Sequence, residues 1–469
     1  MNTIWTPTLE HFPGPKYKAL AAALKDGVTQ GALTAGSKLP PVRELAFHLG
    51  ITPGTVARAY SILTDAGIFE ATVGRGTFVA ERSVPRVEMS PLEVDAVPHG
   101  SGGNTPDINL MSPALPDVGQ AGLIRQLMAE VAHDPPSGLM HYPNRRAFQP
   151  ARNAVVQWLQ GTPLGPLEQE DIVLSHGGQN GISLVLQTLL KGSNPVILVE
   201  ELAYPGFRRA ADLLRAKVVP VAMDAHGIVP EAFEAAARLH TAQVLCTSPE
   251  VHNPTGIFTP LERRRDLVEI ARRQNVQIVE DDCYRMGSAR APTYRMLASE
   301  RGWYVSSISK TITPSLRIGF AVAPDGQGAG LRRSAEHGFF GLATPLADLT
   351  AKLLAHPQIE TLAQGVVSHM GLYIREAVNH LGGYELRWRE DVPFFWLQLP
   401  EGWRASAFCQ AAAEADVKIR PSEDFAGRDA RAPHAVRIAV NAQIPLERFC
   451  NAMQILRDLL DEPPERIGV

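Results

Sequence analysis

The chain has 469 residues, of which 45% are hydrophobic and 20% charged, and a formal net charge of −4. That length and mixture exclude a single small domain, a disordered chain and a strongly basic nucleic-acid coat, and they fit two or three globular domains. No run of about 18 apolar residues occurs, and no basic start precedes an apolar core at Met1, so a membrane span and a secretion signal are not expected and a cytoplasmic location is.

The four cysteines, Cys246, Cys283, Cys409 and Cys450, lie far apart with no C-x-x-C pair. Neither a disulfide framework nor a metal site is predicted from that pattern, which suits a reducing compartment, and the histidines show no ligand spacing. Residues 1–80 carry seven Lys/Arg against five Asp/Glu, net +2, leaving −6 for the remainder. An asymmetry that small does not by itself argue for DNA.

In chain order, residues 16–30 place Tyr17, Leu20, Ala21, Leu24 and Val28 at helical spacing. Pro40-Pro41 opens a second short helix over 42–49, closed by Gly50. Thr52 is the expected N-cap of a third helix with Pro53 in its first turn, running to Ala66 and stopped by Gly67. Residues 68–79 alternate around Gly74-Arg75-Gly76, the pattern of a two-stranded hairpin. A winged helix-turn-helix over 12–80 is therefore predicted. Its third helix would enter the major groove with Thr52, Thr55 and Arg58 near the exposed face, Arg43 would reach a phosphate or base edge, and Arg75 and Gly76 would form the wing tip. A three-helix protein-interaction module is the alternative reading of the same pattern.

A linker over 81–108 follows, with Pro85, Pro91, Pro98 and Gly100-Ser-Gly-Gly103. From 109 to 469, helical stretches alternate with short apolar strands at 195–199, 243–247, 276–279 and 318–322, the rhythm of an α/β domain with a mostly parallel sheet. Strand-like runs at 394–399 and 435–440 among helices suggest a smaller α+β lobe over about 375–465.

Several short motifs in this second part fall after predicted strands, where α/β sites form. Ser175-His-Gly177-Gly178-Gln179-Asn180 precedes a helix predicted over 181–190 and can offer backbone N–H groups to a phosphate. Tyr204, in Glu201-Leu-Ala-Tyr204-Pro-Gly206, offers an aromatic face. Asn253, in Pro249-Glu-Val-His-Asn253-Pro-Thr-Gly256, offers an amide, and Glu280-Asp281-Asp282-Cys283-Tyr284 offers carboxylates and a phenol. Ser307-Ile-Ser309-Lys310, with Arg317 seven residues on, combines a lone amine with hydroxyls and a guanidinium suited to a phosphorylated aldehyde. Each motif alone reads as ordinary structure; an SxSK stretch is most simply a surface lysine after a strand. Their order and number point to a pyridoxal 5'-phosphate cage. Arg437, in the late strand, could grip a carboxylate through two hydrogen bonds.

Two resemblances carry the reading further. Gly36-x-x-Leu-Pro-Pro-x-Arg43-x-Leu-Ala-x-x-Leu-Gly50, Thr55-Val-x-Arg58-Ala-Tyr60-x-x-Leu-x-x-x-Gly67 and Gly74-x-Gly76-Thr-Phe-Val79 resemble the DNA-binding domain of GntR-type regulators, with Pro41 in place of the usual serine. The second set resembles the fold-type-I aminotransferases. That likeness implies Lys310 as the Schiff-base lysine, Asp281 as partner of the cofactor's ring nitrogen, and Asn253 and Tyr284 as partners of its phenolic oxygen. It implies Tyr204 stacked on the ring, Gly178, Gln179, Ser307, Ser309 and Arg317 around the phosphate, and Arg437 on an effector carboxylate. Tyr142 matches a tyrosine that reaches the neighbouring subunit's phosphate, which implies a homodimer. The tract Ile419-Arg420-Pro421-Ser422-Glu423-Asp424-Phe425 and Pro393 depart from the family pattern in the lobe that shapes substrate choice.

Joined by the linker, the two parts are similar to the MocR-type regulators. The resemblance implies a bacterial transcription factor that binds operator DNA and senses an amine or amino acid by aldimine exchange at Lys310, controlling catabolism or transport of an amino compound. A working aminotransferase and a sensor of pyridoxal phosphate itself, controlling vitamin B6 synthesis, are the alternatives.

Overall fold

The computed structural model describes residues 15–29, 31–34, 36–65, 68–72, 76–80, 107–427 and 432–462. The chain divides into two compact units, Met1–Ser90 and Pro91–Val469.

In the first unit, helices α1 (Lys16–Thr29), α2 (Val42–Leu49) and α3 (Pro53–Asp65) precede strands β1 (Phe69–Thr72) and β2 (Gly76–Val79). The helical spacing in α1 turns Leu20 and Leu24 inward, onto Leu45, Val56, Ala59, Leu63 and Phe69. Gly50 ends α2 at a φ of 60°, a left-handed conformation that glycine adopts without strain, and its N–H reaches back to the last turn. Thr52 caps α3: its Oγ1 accepts the Thr55 N–H at 3.3 Å. The Tyr60 hydroxyl donates to the Pro40 carbonyl at 2.8 Å, tying α3 to the entry of α2. β1 and β2 pair antiparallel from Phe69↔Val79 to Thr72↔Gly76, and Lys38 bridges Phe78 to lay a third segment along the hairpin.

The second unit is built on a seven-stranded sheet. Its strands are β3 (Ile172–His176), β4 (Val196–Glu200), β5 (Lys217–Val221), β6 (Val244–Thr247), β7 (Gln277–Asp281), β8 (Gly302–Ser307) and β9 (Ile318–Val322). They lie in the order 3-9-8-7-6-4-5, all parallel except β9, which runs antiparallel to both neighbours. The central strands are buried on both faces, which explains why they read as continuous apolar runs. Parallel connection brings the C-terminal ends of β3, β4, β6, β7 and β8 to one edge of the sheet, where β9 begins. Helices α4 (Gly177–Leu189) and α5 (Pro205–Leu213) start at that edge.

The smaller lobe has a four-stranded antiparallel sheet of β10 (Leu386–Arg387), β11 (Phe394–Gln398), β12 (Arg420–Pro421) and β13 (Ala435–Ala439), in the order 10-11-13-12. Two helices, α6 (Ile359–Leu381) and α7 (Leu446–Asp461), cover it around Tyr373, Ile374, Ala377, Phe395, Phe449 and Met453. Ile108 and Asn109 pair in parallel with Val417 and Lys418, and Ala114 bridges Asn441, so the start of this unit is woven into the small lobe. Among the described residues, no helix is long and apolar enough to cross a membrane.

Candidate functional site

Three acidic residues in a row stand at the end of β7 and just beyond it, and continued alternation sorts them. Glu280 and Asp282 face one side of the sheet, where protein groups bond them, although Asp282 Oδ1 is buried without a hydrogen-bond partner. Glu280 accepts the Tyr294 N–H at 2.7 Å, and Asp282 Oδ2 accepts the Tyr304 hydroxyl at 2.7 Å and Arg285 Nε at 2.6 Å. Asp281 faces the other side, 6% exposed, with Oδ1 accepting the Cys283 N–H at 3.1 Å. It is therefore the carboxylate turned toward the strand-end cleft.

Lys310 follows β8 in the same cleft, its Nζ 4.9 Å from the centre of the buried Tyr284 ring. Ser307 and Ser309, one strand end away from Asp281, are both buried. Arg317 precedes β9 with a φ of 51°, a left-handed conformation that a non-glycine residue holds only when its surroundings enforce it. Its guanidinium lies against Gly177: a Cβ placed on that glycine would fall 2.4 Å from Arg317 Nη2.

The helix predicted from residue 181 begins four residues earlier, at Gly177. The pair of glycines therefore opens α4 rather than forming a separate turn, and Gly177 enters it at a φ of 79°, a left-handed conformation open to glycine. This places Gly178 and Gln179 among the N–H groups that have no partner inside the helix, where an anion is favoured. Across the cleft Tyr204 stands at the N-terminus of α5, and Gln179 Nε2 donates to the Gly206 carbonyl at 2.9 Å. A Cβ on Gly206 would fall 2.1 Å from Tyr204 Cε1 and 2.0 Å from Gln179 Oε1, so the ring and the amide close over that glycine.

Asn253 follows β6 and joins the large sheet to the small lobe. Its Oδ1 accepts Arg437 Nη1 at 2.6 Å, while Arg437 Nη2 donates to the Met111 carbonyl at 2.6 Å. Arg437 is fully buried in β13, between the rings of Phe394 and Phe425. Beside it in register, buried Arg420 pairs with Asp424 at 3.2 Å. Burial raises the Asp424 carboxyl, against the pull of Arg420 and Arg437. The departing tract 419–425 thus builds a second cation next to Arg437.

These residues fit pyridoxal phosphate. Asn253 Nδ2 and Ser309 Oγ are buried polar atoms without a hydrogen-bond partner in the protein; Ser309 adjoins Lys310 in the chain, and Asn253 is linked to the Tyr284 ring beside Lys310 through Arg437 and Phe394. Leaving such a group unsatisfied costs about 1–3 kcal/mol, and a ligand with phenolic and phosphate oxygens would supply both acceptors. Asp281, Tyr204 and the α4 N-terminus surround the same space. Tyr142 is 84% exposed, with its ring 6.0 Å from that of Phe340, and lies apart from this cage.

Cys283 is a cage residue the motifs did not single out. A Cβ on Gly178 would fall 2.2 Å from its Sγ, so the thiol fills the floor beneath the α4 turn. Burial, then the Asp281 carboxylate, pushes this thiol well above its ordinary range. A lone cysteine between Asp282 and Tyr284 gave no signal of that contact.

In the first unit Arg43, Thr52 and Arg58 are exposed, and Thr55 is half-buried. Thr52 Oγ1 and Thr55 Oγ1 lie 2.9 Å apart, and the Arg58 guanidinium stands 4.2 Å over the Tyr17 ring. Arg75 lies outside the described residues. Gly76 starts β2 with a φ of 114°, and a Cβ there would meet Lys38 Cε at 3.0 Å. Lys38 is thus a further cation beside the wing.

The family model described as aminotransferase class I and II matches residues 105–456, and that of bacterial regulatory proteins, gntR family, matches residues 16–79. An uncharacterized HTH-type transcriptional regulator of Bacillus subtilis is 30% identical over 98% of this chain and 97% of its own length. The HTH-type pyridoxine biosynthesis transcriptional regulator of Corynebacterium glutamicum is 28% identical over 79% of this chain and 78% of its own. An archaeal alanine:glyoxylate aminotransferase structure superposes with a TM-score of 0.68 at 22% identity, over 76% of this chain and 91% of that one, a likeness of fold.

Proposed function

The chain belongs to the MocR-type regulators of the gntR family, with a class I and II aminotransferase domain that takes pyridoxal phosphate, and from that premise we propose that it switches operator binding in response to a small amine or amino acid. The observation that carries the proposal is the set of unsatisfied buried donors, Asn253 Nδ2 and Ser309 Oγ, around Lys310 in a chain that also holds a winged helix. When bound, the cofactor supplies an aldehyde carbon over which Lys310 and an incoming primary amine compete.

The family resemblance and the strand-end cleft support a role for each residue. Asp281 would keep a proton on the ring nitrogen, and Asn253 and Tyr284 would orient the ring through its phenolic oxygen. Tyr204 would stack on the ring. The Gly178 and Gln179 N–H groups, Ser307, Ser309 and Arg317 would hold the phosphate. Arg437, drawn from the small lobe, grips the effector's carboxylate while still bonded to Asn253, so ligand, cofactor and lobe position are coupled through one amide. Lys310 would be the amine that an effector displaces, and its release would distinguish the liganded state. A ligand that binds two lobe positions unequally shifts their populations by its difference in affinity, typically by about 5- to 150-fold. In the first unit Arg43, Thr52, Thr55, Arg58, Arg75 and Gly76 would contact DNA, and a homodimer would present two such readers.

The test is DNA binding by the full-length, cofactor-loaded protein, with and without a panel of amines, beside the visible absorbance of the bound cofactor. The amine that alters the absorbance should alter DNA affinity. Lys310→Ala should lose both responses while binding DNA within a few-fold of the parent. Efficient turnover of an amino donor and a keto acid, without any specific DNA site, would instead establish an enzyme.

A second reading has one observation in its favour, the pyridoxine biosynthesis regulator among the relatives. Under it, cofactor alone changes DNA affinity and added amines do nothing.

A further inference from the structure

The small lobe holds a cluster of metal-ligating side chains that has no part in the cofactor cage. Glu376 and His380 stand one turn apart on α6, and Cys450 faces them from α7, with one ligand atom of each within 4.8 Å of the other two. All three are half-buried, at the rim of the seam in which Tyr373 and Ala377 pack on Phe449 and Met453. Ligands on one tetrahedral ion, with bonds of about 2.0–2.3 Å, sit roughly 3.3–3.7 Å apart. Small torsion changes at the rim would close the set around an ion.

We propose that Glu376, His380 and Cys450 form a binding site for a borderline-soft divalent cation of the zinc type, which clips α6 to α7. A thiolate, an imidazole and a carboxylate select such an ion over calcium or magnesium, which take all-oxygen sets. The histidine is already oriented. Gln454 Nε2 donates to Asp458 Oδ1 at 2.7 Å, which turns Gln454 Oε1 toward His380 Nδ1 at 3.3 Å. An acceptor at Nδ1 fixes the proton there and leaves the Nε2 lone pair for a metal, the usual outer support of a ligating histidine. Burial and the carboxylates of Glu376 and Glu447 raise the Cys450 thiol, and a dication would reverse the effect of both acids. On binding, the S–H bond breaks, the sulfur–metal bond forms and the proton passes to solvent. Glu447 or water would fill the fourth position.

The sequence spacing concealed this cluster. Cys450 lies seventy residues beyond His380 with no second cysteine near it, and the absence of a C-x-x-C pair predicts no metal site.

Cobalt(II) is the probe, titrated into tag-free, chelator-treated full-length protein loaded with its cofactor. A thiolate-to-cobalt absorption band should saturate at one ion per chain and be displaced by zinc. Cys450→Ser should abolish the band. His380→Ala should weaken binding at least about tenfold, and Gln454→Leu, a change to a positioning residue, by roughly tenfold. The cofactor's visible absorbance, retained in all three variants, reports that the lobe still folds. Failure of the band to appear, its persistence in Cys450→Ser, or an unchanged affinity in His380→Ala would overturn the proposal.

Discussion

Asp281, which ends β7, and Asp282, just beyond it, face opposite sides of the sheet, and opposite duties are expected of them. Asp282 is enclosed with Arg285 and Tyr304, and breaking a buried ion pair from one side costs about 3–5 kcal/mol. Asp282→Asn should therefore lower the melting temperature of the cofactor-free protein markedly. Asp281→Asn should leave that melting curve nearly in place and weaken retention of the cofactor; thermal melts beside a cofactor titration separate the two, and equal melting losses would refute the assignment. Glu200 shows the same logic in pH. Burial lifts its carboxyl from 4.5 to about 7, with Thr247 and Ser248 donating to Oε1 at 2.5 and 3.0 Å. Below the unfolded value both states are protonated and its contribution is complete. As pH rises toward the folded value the unfolded chain ionises first, and on the order of 3 kcal/mol is lost. Glu200→Gln removes that loss, so the variant should gain stability relative to the parent between about pH 5 and pH 8. Parallel stability curves over that range would rule out an ionising Glu200 as the cause.

At the scale of elements, the first turn of α4 is the piece the sequence left least legible. Strand runs, helix α2 and the Thr52 cap follow from periodicity and turn chemistry, and the structure places them within a residue or two of expectation. The start of α4 did not, because two glycines read as a turn. What requires glycine at these two positions is long-range: Arg317 lies against Gly177, and the Cys283 thiol lies beneath Gly178. Alternation made the opposite facing of Asp281 and its two neighbours legible, but not which face is enclosed, because Tyr294 and Tyr304 lie 14 and 22 residues along the chain from Glu280 and Asp282. The thiol contact yields a test with its own control. Gly178→Ala would drive its Cβ into Cys283 Sγ, an overpacking of about 1–3 kcal/mol. The Cys283 Cβ lies 3.7 Å from the same point, an ordinary contact. Cys283→Ala should thus restore most of the melting temperature and cofactor affinity lost by Gly178→Ala. A double variant no better than the single one would show that the glycine is needed for its N–H geometry alone.

For the molecule as a whole, the proposed switch needs two readers, and the surface of the second unit suggests how they are brought together. Leu139, Met140, Tyr142 and Phe340 are each at least 65% exposed, with Tyr142 and Phe340 in ring contact. A cavity of about 350 Å³ opens beside them, lined by Phe148, Phe340 and Leu342. Apolar side chains concentrated beside a cavity mark an interaction surface, and a second copy is the occupant that the homodimer expected from Tyr142 supplies. Joining two readers turns the second DNA contact into an intramolecular one, which can raise affinity by about 10²–10⁴ where the linkers span both half-sites. Met140→Glu with Phe340→Glu should therefore convert a dimer to a monomer in sedimentation experiments. The same variant should bind an operator with two half-sites little better than one with a single half-site, whereas the parent prefers the double site at least about a hundredfold. Single-site affinity should be common to both, because Arg43, Thr55 and Arg58 belong to the first unit and are untouched by the change. If the variant remained dimeric, the second copy would have to dock on another face; if it became monomeric yet kept the double-site preference, the coupling of the two readers would have to come through the DNA and not through this domain.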